Sequence, residues 1–136
     1  MSQAIYGTAF TDQDSGFLFA TKLGHFRNQK LYRSADALRG QLNENLRLLR
    51  RERVDLLQVH EADFHAWWSD DVAAGRLHED EDYDFAGAPV VEVLREARDQ
   101  GVCRYHRHLR QHGAEHGPRA LLASMLIRAS SPSTTT

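Results

Sequence analysis

The stretch L-R-G-Q-L-N-E-N-L-R-L-L-R-R-E-R-V-D-L-L-Q-V-H, residues 38–60, changes its hydrophobic period once and so indicates the fold. In its first part, leucines recur at intervals of four, four and three residues, which is the spacing of the buried face of a helix. These leucines are Leu38, Leu42, Leu46 and Leu49. Ser34 precedes this part and is a suitable N-cap, because its hydroxyl can accept a first-turn N–H. Residues 54–60 then form a short apolar run, so the stretch predicts a helix that leads directly into a buried strand.

The same two patterns continue on both sides of this stretch. Upstream, F-L-F-A-T at residues 17–21 has the pattern of a buried strand and runs into Lys22-Leu23-Gly24. Downstream, Pro89 suits the first position of a second helix, and Gly101 suits its end. V-C-R-Y, residues 102–105, begins a third strand. Strands that alternate with helices in this way are typical of an α/β fold with a parallel sheet.

The composition excludes several classes of protein. The 136 residues include 17 Lys and Arg against 19 Asp and Glu, and the net charge of −2 argues against nucleic-acid binding by the whole molecule. Cys103 is the only cysteine, so the chain has neither a disulfide framework nor a cysteine-based zinc site. The first residues lack the features of a signal peptide, and no apolar run approaches the roughly 20 residues of a membrane helix. We therefore expect a soluble, cytoplasmic protein without a membrane or nucleic-acid partner.

Lys22 and His60 are the candidate functional residues, because each stands where a predicted strand ends. In parallel α/β folds, active sites lie at the carboxyl ends of the strands. A lysine at such a place can hold an anion, and a histidine can donate a hydrogen bond to a substrate carbonyl. Taken singly, each residue is more simply interpreted as a solvated lysine or a structural histidine. Trp67 and Trp68 either line a substrate pocket or pack in the core.

Three blocks of sequence together favour a functional interpretation of Lys22 and His60 over a structural one. They are F-A-T-K-L-G at residues 19–24, residues 38–63 including the stretch quoted above, and V-L-R-E-A-R-D-Q-G-V-C-R-Y at residues 93–105. In order, spacing and strand context they resemble the aldo/keto reductases, which are NADP(H)-dependent oxidoreductases built on a (β/α)8 TIM barrel. The resemblance covers about the first 105 residues. It implies NADP(H) as cofactor and a small carbonyl or alcohol as substrate, and it matches Lys22 and His60 to the family's catalytic lysine and histidine. We expect no metal.

The resemblance also implies that part of the family's site is missing. In the family, hydride passes from the nicotinamide to the carbonyl carbon while a tyrosine, assisted by the lysine and an aspartate, protonates the oxygen. Neither the aspartate nor the tyrosine has a matching position here. Tyr6-Gly7 imitates the family's Y-G pair, but fifteen residues between Tyr6 and Lys22 are too few for the intervening helix, so we assign Tyr6 and Phe10 to the apolar face of a helix. We expect a partial barrel of about two and a half βα units that is inactive by itself.

The last part of the chain departs from the family pattern. We divide the chain into a partial barrel segment, residues 1–105, and a basic, His-rich and Ser/Thr-rich tail, residues 106–136, which we expect to be disordered. In a helix, His108, His112 and His116 would share one face and could bind zinc. The tail could also be a nucleic-acid arm, although no aromatic platform accompanies its arginines, or simply a solvated basic segment.

A shifted reading frame is the interpretation of this tail that we favour. After G-x-x-R-Y, aldo/keto reductases commonly continue with I-G-I-S-G-N or a similar strand and loop. Codons for H-R-H-L-R-Q, residues 106–111, can encode I-G-I-S-G-N when they are read one base later. On this hypothesis the histidines of the tail have no function of their own. The alternative is a non-catalytic or metal-binding protein whose function resides in the His-rich tail.

Overall fold

A computed structural model describes residues 2–10, 18–71, 75–78, 80–107 and 126–128. The helices and strands in these residues are α1 Ser2–Ala9, β1 Ala20–Leu23, α2 Ala35–Leu49, β2 Val54–Val59, α3 Pro89–Asp99, β3 Cys103–Arg107 and β4 Leu126–Arg128. Two short 3₁₀ helices, Gln29–Arg33 and His65–Trp67, lie in the loops that follow β1 and β2. None of the described helices is long and apolar enough to cross a bilayer.

The described strands form one sheet in the order β1-β2-β3-β4. β1, β2 and β3 run parallel, with Lys22 opposite Gln58 and Val54 opposite Cys103. The short β4 lies antiparallel beside β3. Because α2 connects β1 to β2 and α3 connects β2 to β3, the predicted alternation of strands and helices is confirmed.

Local signals in the sequence determine where the two long helices begin and end. The Ser34 hydroxyl accepts a hydrogen bond from the backbone N–H of Ala37 at 3.2 Å, so the predicted N-cap of α2 is confirmed. Pro89 occupies the start of α3, where its missing N–H costs no hydrogen bond. Gly101 follows the end of α3 with a φ of +72°, a conformation that glycine adopts without strain.

One face of the sheet packs against the helices and forms the core. Leu57 of β2 and Leu23 of β1 are completely buried there, together with Leu38 of α2 and Leu94 of α3. The leucine stripe predicted for α2 therefore faces the sheet. On β1 the burial alternates, so Ala20 and Lys22 are exposed on the opposite face of the sheet.

An arginine links α2 to α3 at the surface. Arg39 makes a two-pronged ion pair with Glu96, with both N···O distances below 3 Å, and also contacts Glu92 and Asp36. The hydrogen bond to Arg39 lowers the pKa of Glu96 below its usual value, and the same bond raises the pKa of Arg39. Arg39 thus joins the two helices at the surface.

The structure corrects two boundaries expected from the sequence. β1 begins at Ala20 rather than at residue 17, which lies outside the described residues, and it extends to Leu23, because pairing with β2 continues as far as Val59. The tail was expected to be disordered from residue 106, yet residues 106–107 continue β3 and residues 126–128 form β4. That expectation is wrong for these five residues, because hydrogen bonding to a neighbouring strand imposes an extended backbone where the side-chain pattern does not indicate one. The rest of the tail lies outside the described residues.

Candidate active site

The two residues singled out by the sequence lie at the same edge of the sheet. Lys22 is the third residue of β1, and His60 directly follows β2. The backbone N–H of His60 donates to the carbonyl oxygen of Leu23 at 2.8 Å, which holds the ends of the two strands side by side. Parallel strands place their carboxyl ends at one edge of a sheet, and Lys22 and His60 both lie at that edge.

Polar contacts behind β1 hold the backbone of Lys22 in place. The buried amide of Asn45 on α2 donates to the carbonyl oxygen of Lys22 at 3.0 Å. Thr21, which is also buried, accepts a hydrogen bond from the Gln3 side chain of α1 at 2.6 Å. Lys22 itself is exposed and has no ion-pair partner among the described residues, so its ammonium group is available to an anionic or polarised ligand. The sequence did not single out Asn45, although a polar residue on the buried face of α2 indicates a buried hydrogen bond.

Gly24 makes the turn that follows Lys22, and its backbone is held from three sides. Its N–H donates to the Gln41 side chain at 2.7 Å, and its carbonyl oxygen accepts from the Tyr32 hydroxyl at 3.1 Å. A Cβ on this residue would lie 2.2 Å from Cζ2 of Trp67, and φ is +112°, so only glycine fits. Trp67 in turn donates from its indole N–H to the carbonyl oxygen of His60 at 3.0 Å. The loops after β1 and β2 are therefore fixed to each other through Gly24 and Trp67.

The turn at Gly24 brings a second histidine onto the first. The imidazole of His25 stacks on that of His60, with 4.5 Å between ring centroids and 27° between ring planes. Within the described part of the chain, no ring nitrogen of either histidine makes a hydrogen bond. His25 was missed at the sequence level, because nothing in the spacing of His25 and His60 indicates that they meet.

A cavity of about 760 Å³ opens beside Lys22, between α1, β1 and α2. Its polar wall includes Lys22, His25, Gln41 and Asn45. Its apolar wall is formed by Tyr6, Phe10, Leu18, Phe19 and Leu49. This arrangement can accommodate a small molecule that carries both polar and apolar groups.

The Tyr6-Gly7 pair has a packing explanation. α1 exists as predicted, and a Cβ on Gly7 would lie 2.1 Å from the carbonyl oxygen of Leu48, so glycine lets α1 approach α2 closely. Tyr6 stacks on Phe10 at 6.2 Å and is 54% exposed, which places it on the surface of the helix rather than in a core. The apolar face predicted for this helix borders the cavity.

The two tryptophans are packing residues in this structure. Trp67 and Trp68 are both buried, and each indole N–H donates to a backbone carbonyl oxygen of the loop that follows β2. Nearby, the buried His65 contacts the carboxylate of Glu81 at 3.2 Å through Nε2. Hydrogen bonds from Tyr83 and His65 lower the pKa of Glu81, while burial raises the pKa of Tyr83. These contacts hold the long loop that carries His60.

Comparison with solved structures identifies the fold that carries this site. A candidate 2,5-diketo-D-gluconic acid reductase B is 25% identical to the chain, with a TM-score of 0.50, and the match covers 77% of this chain and 30% of the other. The glycerol dehydrogenase AKR11B4 from Gluconobacter oxydans is 23% identical, also with a TM-score of 0.50, over 78% and 29% of the two chains, and this likeness concerns the fold alone. Both structures are aldo/keto reductases.

The chain has the fold of part of an aldo/keto reductase barrel. The resemblance drawn from the three sequence blocks is thus confirmed, as is the expected partial barrel, and the chain spans about 30% of the length of the structures it matches. No family profile matches the sequence, and neither does any curated protein. The assignment of Lys22 and His60 to the catalytic positions of the aldo/keto reductases stays a prediction.

The N-termini of α2 and α3 do not fit the phosphates of NADP(H). Phosphate groups bind well at helix N-termini that lack negative charge, where free N–H groups point at the anion. α2, however, has Asp36 in its first turn, and α3 has Glu92 there and begins with Pro89, which has no N–H. Among the described residues, no three His, Cys, Asp or Glu side chains are placed to hold a metal ion, and His108, His112 and His116 lie outside them.

Proposed function

We propose that this chain carries the lysine and the histidine of an aldo/keto reductase site that interconverts carbonyls and alcohols with NADP(H). The observation that carries the proposal is the hydrogen bond from His60 N–H to the Leu23 carbonyl oxygen, which aligns the ends of β1 and β2 beside each other. The aldo/keto reductase fold supports it, since active sites of such barrels lie at this edge of the sheet. The chain alone is proposed to be inactive, because no position matches the family's aspartate and tyrosine and the chain spans about 30% of the length of the structures it matches.

The two side chains have complementary roles in this proposal. The ammonium group of Lys22 supplies a positive charge that stabilises negative charge as it develops on an oxygen nearby. The imidazole of His60, with a proton on the nitrogen that faces the substrate, donates a hydrogen bond to the carbonyl oxygen and orients it. Both groups start from fixed backbones, so little reorganisation is needed when a substrate binds.

The cofactor and the substrate class follow from the family. NADP(H), when bound to a complete site, supplies the hydride. The names of the two structural neighbours refer to a diketogluconic acid and to glycerol, which are both small hydroxylated molecules. We propose a small carbonyl compound or alcohol of this kind as substrate, and the polar wall of the cavity near Lys22 supports this. A cytoplasmic location remains a prediction.

A chimeric enzyme tests the assignment of the two residues. Residues 18–107 replace the matching segment of an intact, active aldo/keto reductase, and NADPH oxidation with a carbonyl substrate is measured. Activity is expected, and Lys22→Met or His60→Ala should each lower kcat by at least about tenfold, since each removes stabilisation in the transition state. Lys30→Met, which changes an exposed lysine in the loop that follows β1, is the matched control. An active, correctly folded chimera that tolerates Lys22→Met and His60→Ala would refute the proposal.

Titration of the isolated chain tests the proposed inactivity. Saturable NADPH binding with a micromolar Kd, or turnover of a carbonyl substrate, would show that the chain is a working enzyme. Stoichiometric zinc binding that is lost when His108 and His112 are replaced would instead support a function in the tail.

We further propose that residues 106–136 arise from a shifted reading frame, on the codon relationship between residues 106–111 and I-G-I-S-G-N. Resequencing of the coding DNA and its transcript across this region tests the idea. One extra base whose removal restores I-G-I-S-G-N and further barrel sequence is the expected result. A confirmed frame without such a base would overturn it.

A further inference from the structure

We propose that His25 is a positioning residue of the carbonyl site, which fixes the orientation of the His60 ring by stacking on it. The inference rests on the proposed function, because orientation of His60 matters only if its N–H must meet a substrate. His25 belongs to none of the motifs that indicated the site, and it reaches His60 only through the fold.

The first support is that the His60 ring has no other anchor among the described residues. The torsion about the Cβ–Cγ bond of a histidine has a broad, weak preference, so a free imidazole points its nitrogens in many directions. A histidine that acts on a substrate is normally oriented by a hydrogen bond from its second nitrogen. No such bond to His60 exists in the described part of the chain. The nearly parallel stack with His25, at 4.5 Å and 27°, is the contact that restricts rotation of the ring.

The second support is that the backbone beneath His25 is rigidly built. Gly24 immediately before it is fixed by Gln41, by Tyr32 and by close contact with the completely buried Trp67. The same Trp67 holds the carbonyl oxygen of His60. The two histidines therefore project from loops that share one anchor, and their stacking geometry is maintained as a unit.

The third support is the place of His25 in the cavity. His25 lines the cavity together with Lys22, while one face of its ring covers His60. His25 thus connects the two residues predicted from the sequence, since it shares the cavity with Lys22 and contacts the ring of His60, which does not itself line the cavity. A residue that only filled space in the core would be buried, whereas His25 is exposed.

Nuclear magnetic resonance on the purified chain, with carbon-labelled histidine, tests this inference. Ring currents from His25 should shield the ring protons of His60. In His25→Ala these signals should move downfield by a few tenths of a part per million, and relaxation should show a more mobile ring. His25→Phe keeps an aromatic face without a titrating group and should restore both properties. Arg27→Ala, an exposed residue of the same loop, is the matched control.

The outcomes separate this inference from the proposed function. Unchanged His60 signals and relaxation in His25→Ala, relative to Arg27→Ala, would overturn the positioning role whether or not the chain binds NADPH. Failure of His25→Phe to restore the His60 ring while the amide spectrum remains native would overturn it as well. Conversely, failure of the chimera to depend on Lys22 and His60 would remove the proposed function, while the stacking measured by resonance would stand on its own.

Discussion

Replacement of Gly24 by alanine should destabilise the fold strongly and loosen the site at the same time. The turn at this residue has a φ of +112°, which an L-residue with a Cβ rarely adopts. The new methyl group would also lie 2.2 Å from the ring of Trp67, a side chain with no exposed surface that cannot move aside freely. Both effects act on the same two-residue connection between Lys22 and His25.

The expected loss of stability is the sum of the backbone strain and the steric clash. A non-glycine residue in a disfavoured backbone region costs about 1–3 kcal/mol. Overpacking against a buried side chain costs a further ~1–3 kcal/mol. The free energy of unfolding should therefore fall by about 2–6 kcal/mol, a large share of the roughly 5–15 kcal/mol that stabilises an ordinary domain.

Urea unfolding followed by tryptophan fluorescence is a suitable assay, because Trp67 and Trp68 are buried in the folded chain. Gly40→Ala is the matched control. Gly40 lies within α2, and a Cβ there would meet nothing within 4 Å. Because alanine favours a helix more than glycine does, Gly40→Ala should stabilise the chain by about 0.5–1 kcal/mol. A loss below about 1 kcal/mol for Gly24→Ala, or equal effects of the two mutations, would refute the reasoning.

Three further predictions concern charged and ionisable groups. Arg39→Met should lower the urea midpoint in low salt and have less effect in high salt, because the exposed link to Glu96 is screened. The pKa of Glu81 is lowered below its usual value, chiefly by the hydrogen bond from Tyr83, so its ionised form stabilises the fold at neutral pH and this contribution is lost as the pH falls through the lowered pKa. Glu81→Gln should therefore reduce the loss of stability at acid pH. An unchanged acid dependence of the free energy of unfolding would contradict this. Burial raises the pKa of the Cys103 thiol to about 11, so a thiol reagent at mildly alkaline pH should react with it only at the rate of unfolding, and rapid reaction in native buffer would disprove this.

Much of the fold was predictable from neighbouring residues in the sequence. The leucine stripe that begins at Leu38, the Ser34 cap and the Pro89 start of α3 act over one or two turns of chain, so they are visible without any tertiary information. The same holds for Lys22 and His60, which stand where apolar runs stop. Their meeting at one edge then follows from the parallel arrangement of the strands.

The details of the site could not be read in that way, since they depend on residues far apart in the chain. Asn45 supports the carbonyl oxygen of Lys22 from another element, and Trp67 packs on Gly24 across more than forty positions. His25 meets His60 only because the turn at Gly24 folds the loop back over the neighbouring strand end. Such contacts leave no periodic pattern, since each involves a single pair of residues.

The amino-acid sequence by itself determined the alternation of strands and helices, because short-range periodicity and capping are local properties of the chain. The family resemblance and its match to Lys22 and His60 came from three blocks of sequence. Only the tertiary structure decided that the imidazoles of His25 and His60 stack, that both tryptophans are buried, and that residues 106–107 and 126–128 pair in the sheet. These features arise when backbone hydrogen bonds and close packing bring distant segments together, and the energy of each contact depends on a neighbour that the local sequence does not reveal.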